Sequence, residues 1–405
     1  MLFEHSPYLH DNLILEFDGK GSSVKTKIHN IGTINLLEIS TVHEIVKIRE
    51  EWKKLFLNCP EATPFQSWEW NYAMIKEFSS SENPKVIIGY NRKNEIVGLA
   101  PLKLTCYKFP GIKILEFIDN NSSDYLDFLV EDEYKYTFTA ALFDFLKNSK
   151  DWSILNLINL RKETKDLISR YLPVEISRQV ICPCVYLPDT MQEYENEVHR
   201  RELKSIKRKL RKLLPQNRVM YVVRESHEIL EEDINSFIEL HQKRQNFKGE
   251  RGKICTKALK ERFHEISKLL SDAGILRIEM LKIDSQIAAI NYILVWNNKK
   301  YNYLSGMDPA FSQFKPGKIL IYYMIEDAIN KSYNVFDFLR GAEDYKYFWT
   351  NKEIQLYSAL YSRSKMSYLL WKKAITLKSK LKKSKMLKKS FLTLLKLFYP
   401  DQSCD

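Results

Sequence analysis

Residues 301–349, YNYLSGMDPAFSQFKPGKILIYYMIEDAINKSYNVFDFLRGAEDYKYFW, decide the fold of this chain. The first four residues alternate as a strand does, and the break at residues 305–309 predicts that this strand ends there. Apolar residues then recur at helical spacing after Pro316, and residues 335–339 form an apolar run typical of a buried strand. Strand, glycine-bearing loop, helix and strand predict one half of an α/β domain, with polar groups collected at strand ends.

The start of the predicted helix has the features of an anion site. Pro316 suits the first helical turn, and Lys315 and Lys318 add positive charge beside it and Gly317. The first N–H groups of a helix have no partner within the helix and point outward. We therefore expect Lys315, Pro316, Gly317 and Lys318 to hold a phosphorylated cofactor.

A similar order of elements occurs in the first half of the chain. The elements expected there are helices at 43–56 and 66–78, a hairpin of 85–90 with 96–104, strands at 114–118 and 125–130, a helix at 137–146 and a strand at 154–160. Helix, hairpin, strand and helix thus appear twice, which predicts two tandem domains of the α/β (α+β) class. Each would be a mixed central sheet flanked by helices.

Four regions follow from this layout. Residues 1–35 have little periodicity and are expected to be a flexible extension, residues 36–188 and 189–362 the two domains, and residues 363–405 a basic tail. The boundary near Pro188 and Asp189 precedes a predicted helix of residues 193–214. That helix has an apolar stripe and eight cations: Arg200, Arg201, Lys204, Lys207, Arg208, Lys209, Arg211 and Lys212. Its charged face either attracts an anionic donor, such as CoA phosphates or tRNA, or is simply solvated.

The net charge of +12 for 405 residues is concentrated in the tail. Between residues 363 and 398 there are twelve Lys or Arg and no Asp or Glu, so the rest of the chain is nearly neutral. Apolar residues interleave with these lysines, as in an amphipathic helix that lies on an anionic membrane surface. A solvated appendage is an equally good interpretation, and nucleic-acid binding is a weaker one.

Seven short motifs resemble those of a known family. They are ATPFQSWEW (62–70), IVGLAPL (96–102), NSSDYLDFLV (121–130), HQKR (241–244), YLSGMDP (303–309), FKPGKIL (314–320) and DFLRGAEDYKYFW (337–349). Their order resembles the GNAT-like acetyltransferase family of the CelD, or cellulose-biosynthesis, type. The resemblance implies two GNAT-like domains, as in the related FemAB-type peptidyl transferases, with an acyl-CoA such as acetyl-CoA as donor and no metal. One departure is that the usual GNAT pyrophosphate loop is absent, and residues 314–318 stand in its place.

Acyl transfer to an amine requires a base for the amine proton and a donor for the leaving thiolate. His241, at the end of a predicted helix, titrates near neutral pH and is the first candidate base, although a helical histidine is often structural. Glu343 is the alternative base, and Tyr345 is a candidate proton donor. Arg340 ends an apolar strand and is assigned to cofactor phosphates, with a structural ion pair as the alternative.

Other polar residues are candidates for binding the acceptor. In the first half, Asp124, Tyr125 and Asp127 offer carboxylates and an aromatic face for an amino group or sugar hydroxyls, although the same residues also fit an ordinary turn. In the second half we assign Arg244 and Lys346 to the acceptor. The resemblance implies an N-acyltransferase that modifies an amino group of a sugar or cell-envelope precursor in polysaccharide biosynthesis.

Two other functions stay open from the sequence. One is FemAB-like peptidyl transfer from aminoacyl-tRNA, and the other is a non-catalytic scaffold in a polysaccharide-synthesis complex. Six scattered cysteines (59, 106, 182, 184, 255 and 404) do not have the spacing of a zinc site. The N-terminus does not have the pattern of a signal peptide, and no run approaches the ~20 apolar residues of a membrane span. We expect a cytoplasmic protein whose tail is a candidate contact with the inner membrane face.

Overall fold

A computed structural model gives the fold. The structure describes residues 28–31, 33–107, 111–198, 200–213, 218–250, 252 and 254–383. Most of the predicted extension (residues 1–27) and half of the predicted tail (residues 384–405) lie outside the described residues. The chain divides into two compact units: unit 1 is Met1–Ala62, Gln66–Arg178 and Tyr357–Asp405, and unit 2 is Thr63–Phe65 and Gln179–Leu356.

The elements of the first half are β1 (Ile28–Ile31), β2 (Ile34–Ile39), α1 (Val42–Lys47), α2 (Arg49–Asn58), α3 (Trp68–Ile75), β3 (Glu82–Tyr90), β4 (Ile96–Tyr107), β5 (Ile112–Phe117), β6 (Leu129–Val130), α4 (Lys135–Asn148), β7 (Ile154–Leu160), α5 (Lys162–Tyr171) and β8 (Glu175–Tyr186). Those of the second half are α6 (Met191–Glu197), α7 (Arg200–Leu213), β9 (Val219–Glu225), α8 (Glu231–Phe247), α9 (Lys257–Asp272), β10 (Leu276–Ile283), β11 (Gln286–Trp296), β12 (Lys299–Met307), α10 (Pro316–Asn330), β13 (Val335–Asp337), β14 (Glu353–Ser362) and α11 (Lys365–Lys383).

The sheet of unit 1 has the strand order β1-β2-β3-β4-β5-β7-β14. Strands β1 to β5 pair antiparallel, β5 pairs parallel with β7, and β14 pairs antiparallel with β7. Helix α4 connects the two parallel strands, and Phe138 anchors it to the sheet. A Cβ atom at Gly89 or Gly98 would lie 2.5 Å or 2.4 Å from the Phe138 ring. Only glycine therefore lets α4 pack this close.

The sheet of unit 2 repeats this arrangement. Its strand order is β8-β13-β12-β11-β10-β9, and β9 to β12 pair antiparallel. Strand β12 pairs parallel with β13, helix α10 connects them, and β8 pairs antiparallel with β13. The predicted mixed α/β fold with a repeated order of elements is confirmed.

A buried lysine holds α10 on its sheet. Lys300 of β12 is completely buried, and its Nζ lies 2.7 Å from Glu279 Oε1 and 3.0 Å from Asp327 Oδ2 of α10. The same ammonium donates to the Met324 carbonyl at 3.3 Å. A buried charge needs such partners, so this network fixes α10 relative to β12.

Five predicted elements differ from those observed. The predicted helix 43–56 is two helices, α1 and α2, with Ile48 between them. The predicted helix 193–214 is two helices, because the chain is extended at Val198. The predicted strand 125–130 is reduced to Leu129–Val130, since Tyr125 has a φ of +52°. The strand that was expected to end at 305–309 pairs with β11 as far as Met307. Strand β13 ends at Asp337, ahead of Leu339 with a φ of +57°.

Two further findings concern the ends of the chain. Strand β1 and the first residues of β2 fall within the range predicted as an extension. Among the described helices, none is both long and apolar enough to cross a membrane.

Substituting Gly306 by alanine tests the contact between β12 and α8. A Cβ atom at Gly306 would lie 2.8 Å from the His241 backbone nitrogen, so the helix has to move. We expect Gly306→Ala to lower the free energy of unfolding by about 1–3 kcal/mol. Gly317→Ala is the matched control, since its Cβ would meet nothing within 4 Å. Equal denaturation midpoints for the two variants would contradict this contact.

Candidate active site in unit 2

The parallel strands β12 and β13 separate early. Their pairing covers Lys299, Lys300 and Tyr301 of β12, whereas β12 continues to Met307. The register with β11 shifts at Tyr303, which is a bulge in β12. After β13 the chain turns toward β8, where the Gly341 N–H donates to the Ile181 carbonyl at 3.0 Å. The pairing of β12 with β13 thus ends at Tyr301, and the chain after β13 follows β8 instead. Ligands of α/β sheets often bind where neighbouring strands diverge in this way.

Helix α8 places His241 beside this diverging end of β12. The His241 Nδ1 atom lies 3.0 Å from the Ser305 carbonyl oxygen, which also accepts from Arg244 Nη1 at 3.4 Å. Since a carbonyl only accepts, Nδ1 carries the proton and Nε2 has the lone pair. The Gln245 side-chain amide lies 3.4 Å from Nε2. The imidazole is 1% exposed and stacks on Phe237, so its orientation is fixed.

Lys346, which the sequence assigns to the acceptor, organises the loop that follows β13. Its Nζ donates to the carbonyl oxygens of Leu339 (3.0 Å), Arg340 (2.8 Å) and Gly341 (3.2 Å). It also lies 2.9 Å from Glu343 Oε2, and the residue is 3% exposed. Four acceptors already surround its three N–H groups, so the ammonium serves the loop rather than a ligand.

Glu343 is a weak candidate for the general base. Burial acts to raise the pKa of its carboxyl, but the hydrogen bond and the charge of Lys346 outweigh it and hold the pKa below its ordinary value. A carboxylate with a lowered pKa accepts protons poorly. The same carboxylate fills the space beside Gly341, where a Cβ atom would lie 2.4 Å from Glu343 Oε2. Gly341 also has a φ of +115°, a backbone conformation that disfavours residues with a side chain. Both the contact with Glu343 and this backbone conformation therefore require glycine.

Tyr345 is suited to donating a hydrogen bond. Burial and the negative charge of Glu343 raise the pKa of its phenol to about 12, against the opposing effect of Arg244. The phenol therefore stays protonated at neutral pH. Glu343 and Arg244 are thus close enough to Tyr345 to affect its pKa. Arg244 also shares the Ser305 carbonyl with His241, so it connects residues that the sequence places about 100 positions apart.

The start of α10 is open on one side. Lys315 has a left-handed backbone (φ +56°, ψ 51°), and its carbonyl accepts from the N–H groups of Lys318 and Ile319. Pro316 occupies the first helical turn as predicted, and a Cβ atom at Gly317 would meet nothing within 4 Å. An anion can therefore approach the backbone of this turn, where the helix dipole is positive.

Cations surround this helix start. Burial, followed by the charges of Lys315, Arg208 and Lys212, lowers the pKa of Lys209, which donates to the Gln313 carbonyl. Cations that repel one another in this way favour a bound anion.

Lys318 is used differently from its predicted role in binding the cofactor. Its Nζ lies 2.9 Å from Glu202 Oε2 and 3.8 Å from the centre of the Phe348 ring. This places the start of α10 beside the loop that carries Tyr345. A shallow recess here is lined by Glu202, Lys318, Phe348 and Trp349, among others.

Asp124, Tyr125 and Asp127 belong to unit 1, whereas His241, Arg244 and Tyr345 belong to unit 2. Asp127 Oδ2 accepts from Thr164 Oγ1 at 2.6 Å and from Arg161 Nη2 at 3.4 Å, which ties it to the start of α5. Tyr125 and Asp124 are buried, at 3% and 2% exposure. A small recess in unit 1 is lined by Asp127, Arg161 and other residues.

The place in unit 1 that corresponds to the diverging strands is filled. Strands β5 and β7 pair at Ile114–Ile154 and Leu115–Leu155, and then diverge. Beyond that point the Leu126 N–H donates to the Asn159 carbonyl at 3.1 Å. Asn159 Nδ2 in turn donates to the Ser123 carbonyl at 2.9 Å. The segment 123–126 therefore bonds to β7 where β5 has left it.

Three contributors to the site were missed from the sequence. Gln245, the Ser305 carbonyl and Gly306 fix His241, and only the spacing of His241 and Gln245, one helical turn apart, gives a signal.

Among the described residues, no three His, Cys, Asp or Glu side chains form a metal-binding group. Arg340 is half-buried, and its carbonyl is held by Lys346.

Part of unit 2 is similar to a known family of domains. Residues 200–347 match the family described as "Acetyltransferase (GNAT) domain". No curated protein matches the chain.

Solved structures share the fold. FemX is similar over 80% of this chain and 98% of its own, with a TM-score of 0.57 and 13% identity. The C-terminal domain of a putative lysylphosphatidylglycerol synthetase from Agrobacterium fabrum is similar over 83% and 97%, with a TM-score of 0.53 and 9% identity. L-PGS from Bacillus licheniformis is similar over 79% and 94%, with a TM-score of 0.50 and 10% identity. The fold of this chain is therefore shared with FemX and these synthetase domains, and residues 200–347 resemble a GNAT domain in sequence.

Replacing Lys346 by methionine tests its role in the loop. The change keeps the length of the side chain but leaves three carbonyl groups without their buried donor. We expect Lys346→Met to lower the free energy of unfolding by about 3 kcal/mol, measured by denaturant titration. Glu343, the half-exposed ion-pair partner of Lys346, gives the control. Glu343→Gln is expected to lower the free energy of unfolding by less than about 1 kcal/mol. A Lys346→Met protein as stable as the wild type would show that the loop does not depend on this lysine.

Proposed function

We propose that the protein is a GNAT-type N-acyltransferase that transfers an acyl group from acyl-CoA to an amino group. The observation that carries this proposal is the open, cation-rich start of α10 in unit 2, beside the diverging strands β12 and β13. The cluster of His241, Arg244 and Tyr345 belongs to the same unit. The match of residues 200–347 to the GNAT acetyltransferase domain supports it independently.

The donor binds with its phosphates at the first turn of α10. The backbone there, Lys315 and Lys209 supply positive potential, and Gly317 leaves room for close approach. Lys318 contributes less than the sequence predicts, because Glu202 neutralises it. The amide-bearing arm of the donor then lies along the end of β12 as an added strand. Acetyl-CoA is the expected donor.

His241 and Tyr345 carry the chemistry. The acceptor nitrogen attacks the thioester carbon, its proton passes to His241 Nε2, and the C–S bond breaks to release the CoA thiolate. Tyr345 donates a hydrogen bond to that thiolate. Because the phenol has a pKa of about 12 and an ordinary thiol about 8.5, full proton transfer would cost roughly 5 kcal/mol. Tyr345 therefore stabilises the thiolate, and solvent supplies its proton.

Unit 2 rather than unit 1 holds the donor. Segment 123–126 occupies the corresponding place in unit 1, and the residues before α4 are Glu131, Asp132 and Glu133. Carboxylates at a helix start interact with the same positive dipole that an anion would use, and they repel phosphate. The two units thus share a topology but differ in their ability to bind an anionic donor.

The acceptor is an amino sugar or a related cell-envelope precursor in a cytoplasmic pathway of polysaccharide synthesis. This assignment depends on the resemblance of the seven motifs. Arg244 lies in the site and is available for an acceptor hydroxyl or carboxylate, while Asp124, Tyr125 and Asp127 stay predicted contacts. Asp127 has the weakest claim of these, since Thr164 and Arg161 already bind it.

A second candidate is transfer from aminoacyl-tRNA. Lys204, Arg208, Arg211 and Lys212 form an exposed basic face on α7, and the fold is shared with FemX. Binding of tRNA would fall steeply with salt, whereas binding of acyl-CoA would fall less. Titrations of both ligands at two salt concentrations separate the two donors.

Substitutions of Gly317 test the donor site. A glutamate at this position places a carboxylate at the open helix start and repels phosphate, so Gly317→Glu is expected to weaken acetyl-CoA binding by at least about tenfold in isothermal titration calorimetry. Gly317→Ala adds a methyl group in open space and is the control, with affinity unchanged. Unchanged affinity in Gly317→Glu, or no binding of any acyl-CoA by the wild type, would refute the donor assignment.

Kinetics of two conservative variants test the catalytic roles. Loss of the base in His241→Gln is expected to lower kcat by about 10²–10⁴-fold. Loss of one donor in Tyr345→Phe is expected to lower kcat by about 10²-fold with little change in KM. Release of CoA thiol is measured with a panel of amino sugars. Donor binding without any turnover in the wild type would favour a non-catalytic scaffold.

A further inference from the structure

The first half of the basic tail is a helix, α11, that packs on unit 1. Leu370 and Trp371 contact a patch formed by Ile112, Ile114 and Ile154. The Tyr368 hydroxyl donates to Glu175 Oε2 at 2.6 Å. The direction in which α11 faces the sheet is therefore fixed.

The chain entering α11 is held as well. Arg363 Nη2 donates to the Leu146 and Lys147 carbonyls at the end of α4, at 2.6 Å and 3.1 Å. Its guanidinium also lies 4.0 Å from the centre of the Trp152 ring. A cation at the negative end of a helix is favourable, so this contact stabilises the junction between β14 and α11.

The opposite side of α11 is exposed and mixed in character. Among the side chains of α11 that the structure describes, the exposed ones on this side are Lys365, Met366, Leu369, Lys373 and Thr376, which we call the outer face. Lys372 is also exposed, but its ammonium donates to the Tyr368 hydroxyl on the side of Glu175. The residues of the outer face follow the spacing of one side of a helix. Met366 is 66% exposed and Leu369 45%, so this face presents two neighbouring large apolar side chains among lysines.

The charge of this region selects the partner. Residues 363–398 contain twelve Lys or Arg and no Asp or Glu, which complements a negatively charged surface. A nucleic acid offers phosphates but nothing to bury Met366 and Leu369. The interface of an anionic bilayer offers both, with phosphates for the lysines and acyl chains for the apolar pair.

We propose that the outer face of α11 docks the protein on an anionic phospholipid membrane. The helix lies along the interface, with Met366 and Leu369 inserted between headgroups and the lysines at phosphate level. Trp371 and Leu370 keep their contacts with unit 1, so docking requires no unfolding. This inference does not depend on the enzymatic activity.

Cosedimentation with vesicles tests the proposal. The full chain is expected to pellet with phosphatidylcholine vesicles that contain phosphatidylserine, and to stay in the supernatant with pure phosphatidylcholine. High salt is expected to weaken binding because the lysines contribute through unscreened charge. Equal binding to both kinds of vesicle, or to neither, would overturn the proposal.

Two variants distinguish insertion of apolar side chains into the bilayer from electrostatic attraction to the lipid headgroups. Met366→Ser/Leu369→Ser keeps every charge and is expected to reduce binding to phosphatidylserine vesicles at least about tenfold. Both side chains are exposed, so the thermal midpoint is expected to stay at the wild-type value. Lys365→Glu/Lys373→Glu is expected to abolish binding.

The matched control is Lys257→Glu/Lys260→Glu, the same charge change at two exposed lysines of α9. An equal loss in this control would assign binding to net charge alone and overturn the docking face. Full binding by Met366→Ser/Leu369→Ser, together with displacement of the protein from vesicles by tRNA, would assign the tail to nucleic acid instead.

Discussion

The early separation of the parallel strands β12 and β13 is the constraint on which the rest of the site depends. Pairing ends at Tyr301, while hydrogen bonds with β11 carry β12 on to Met307. The Ser305 carbonyl is thereby free to orient His241, and Gly306 lets α8 approach closely enough for that contact. Lys346 holds the chain that leaves β13, and Lys300 holds α10 on the sheet. One buried lysine therefore fixes α10, and the other fixes the loop after β13.

The two units show how one topology supports different roles. In both, a helix connects two parallel strands that diverge after two or three pairs. Unit 1 fills the gap with its own segment 123–126 and precedes its helix with acidic residues. Unit 2 has a proline, an open glycine and nearby cations at the same point. A difference in local charge and loop length, rather than in fold, separates them.

Hydrophobic periodicity predicts most of the elements, including β7, the hairpins and the start of α10 at Pro316. Periodicity fails where contacts with other elements determine the length of an element. Strand β12 continues through Ser305 and Gly306 because β11 pairs with it. The predicted helix 193–214 is interrupted at Val198. The contacts of the predicted site residues depend on the fold as well as on residue type. His241 and Tyr345 are brought near Arg244 as chemistry suggests, whereas Lys346 is used by the loop because backbone carbonyls surround it. Such partners cannot be identified from residue type and spacing alone.

Hydrogen exchange of the full chain with and without CoA tests the central claim most directly, because it locates the donor without requiring an acceptor. The amides of the first turn of α10 and of the end of β12 are expected to exchange more slowly when CoA is bound. Peptides that cover residues 118–131 of unit 1 are expected to exchange at the same rate in both states. Protection of those unit 1 peptides, or no protection at residues 315–320, would contradict the assignment of the donor to unit 2.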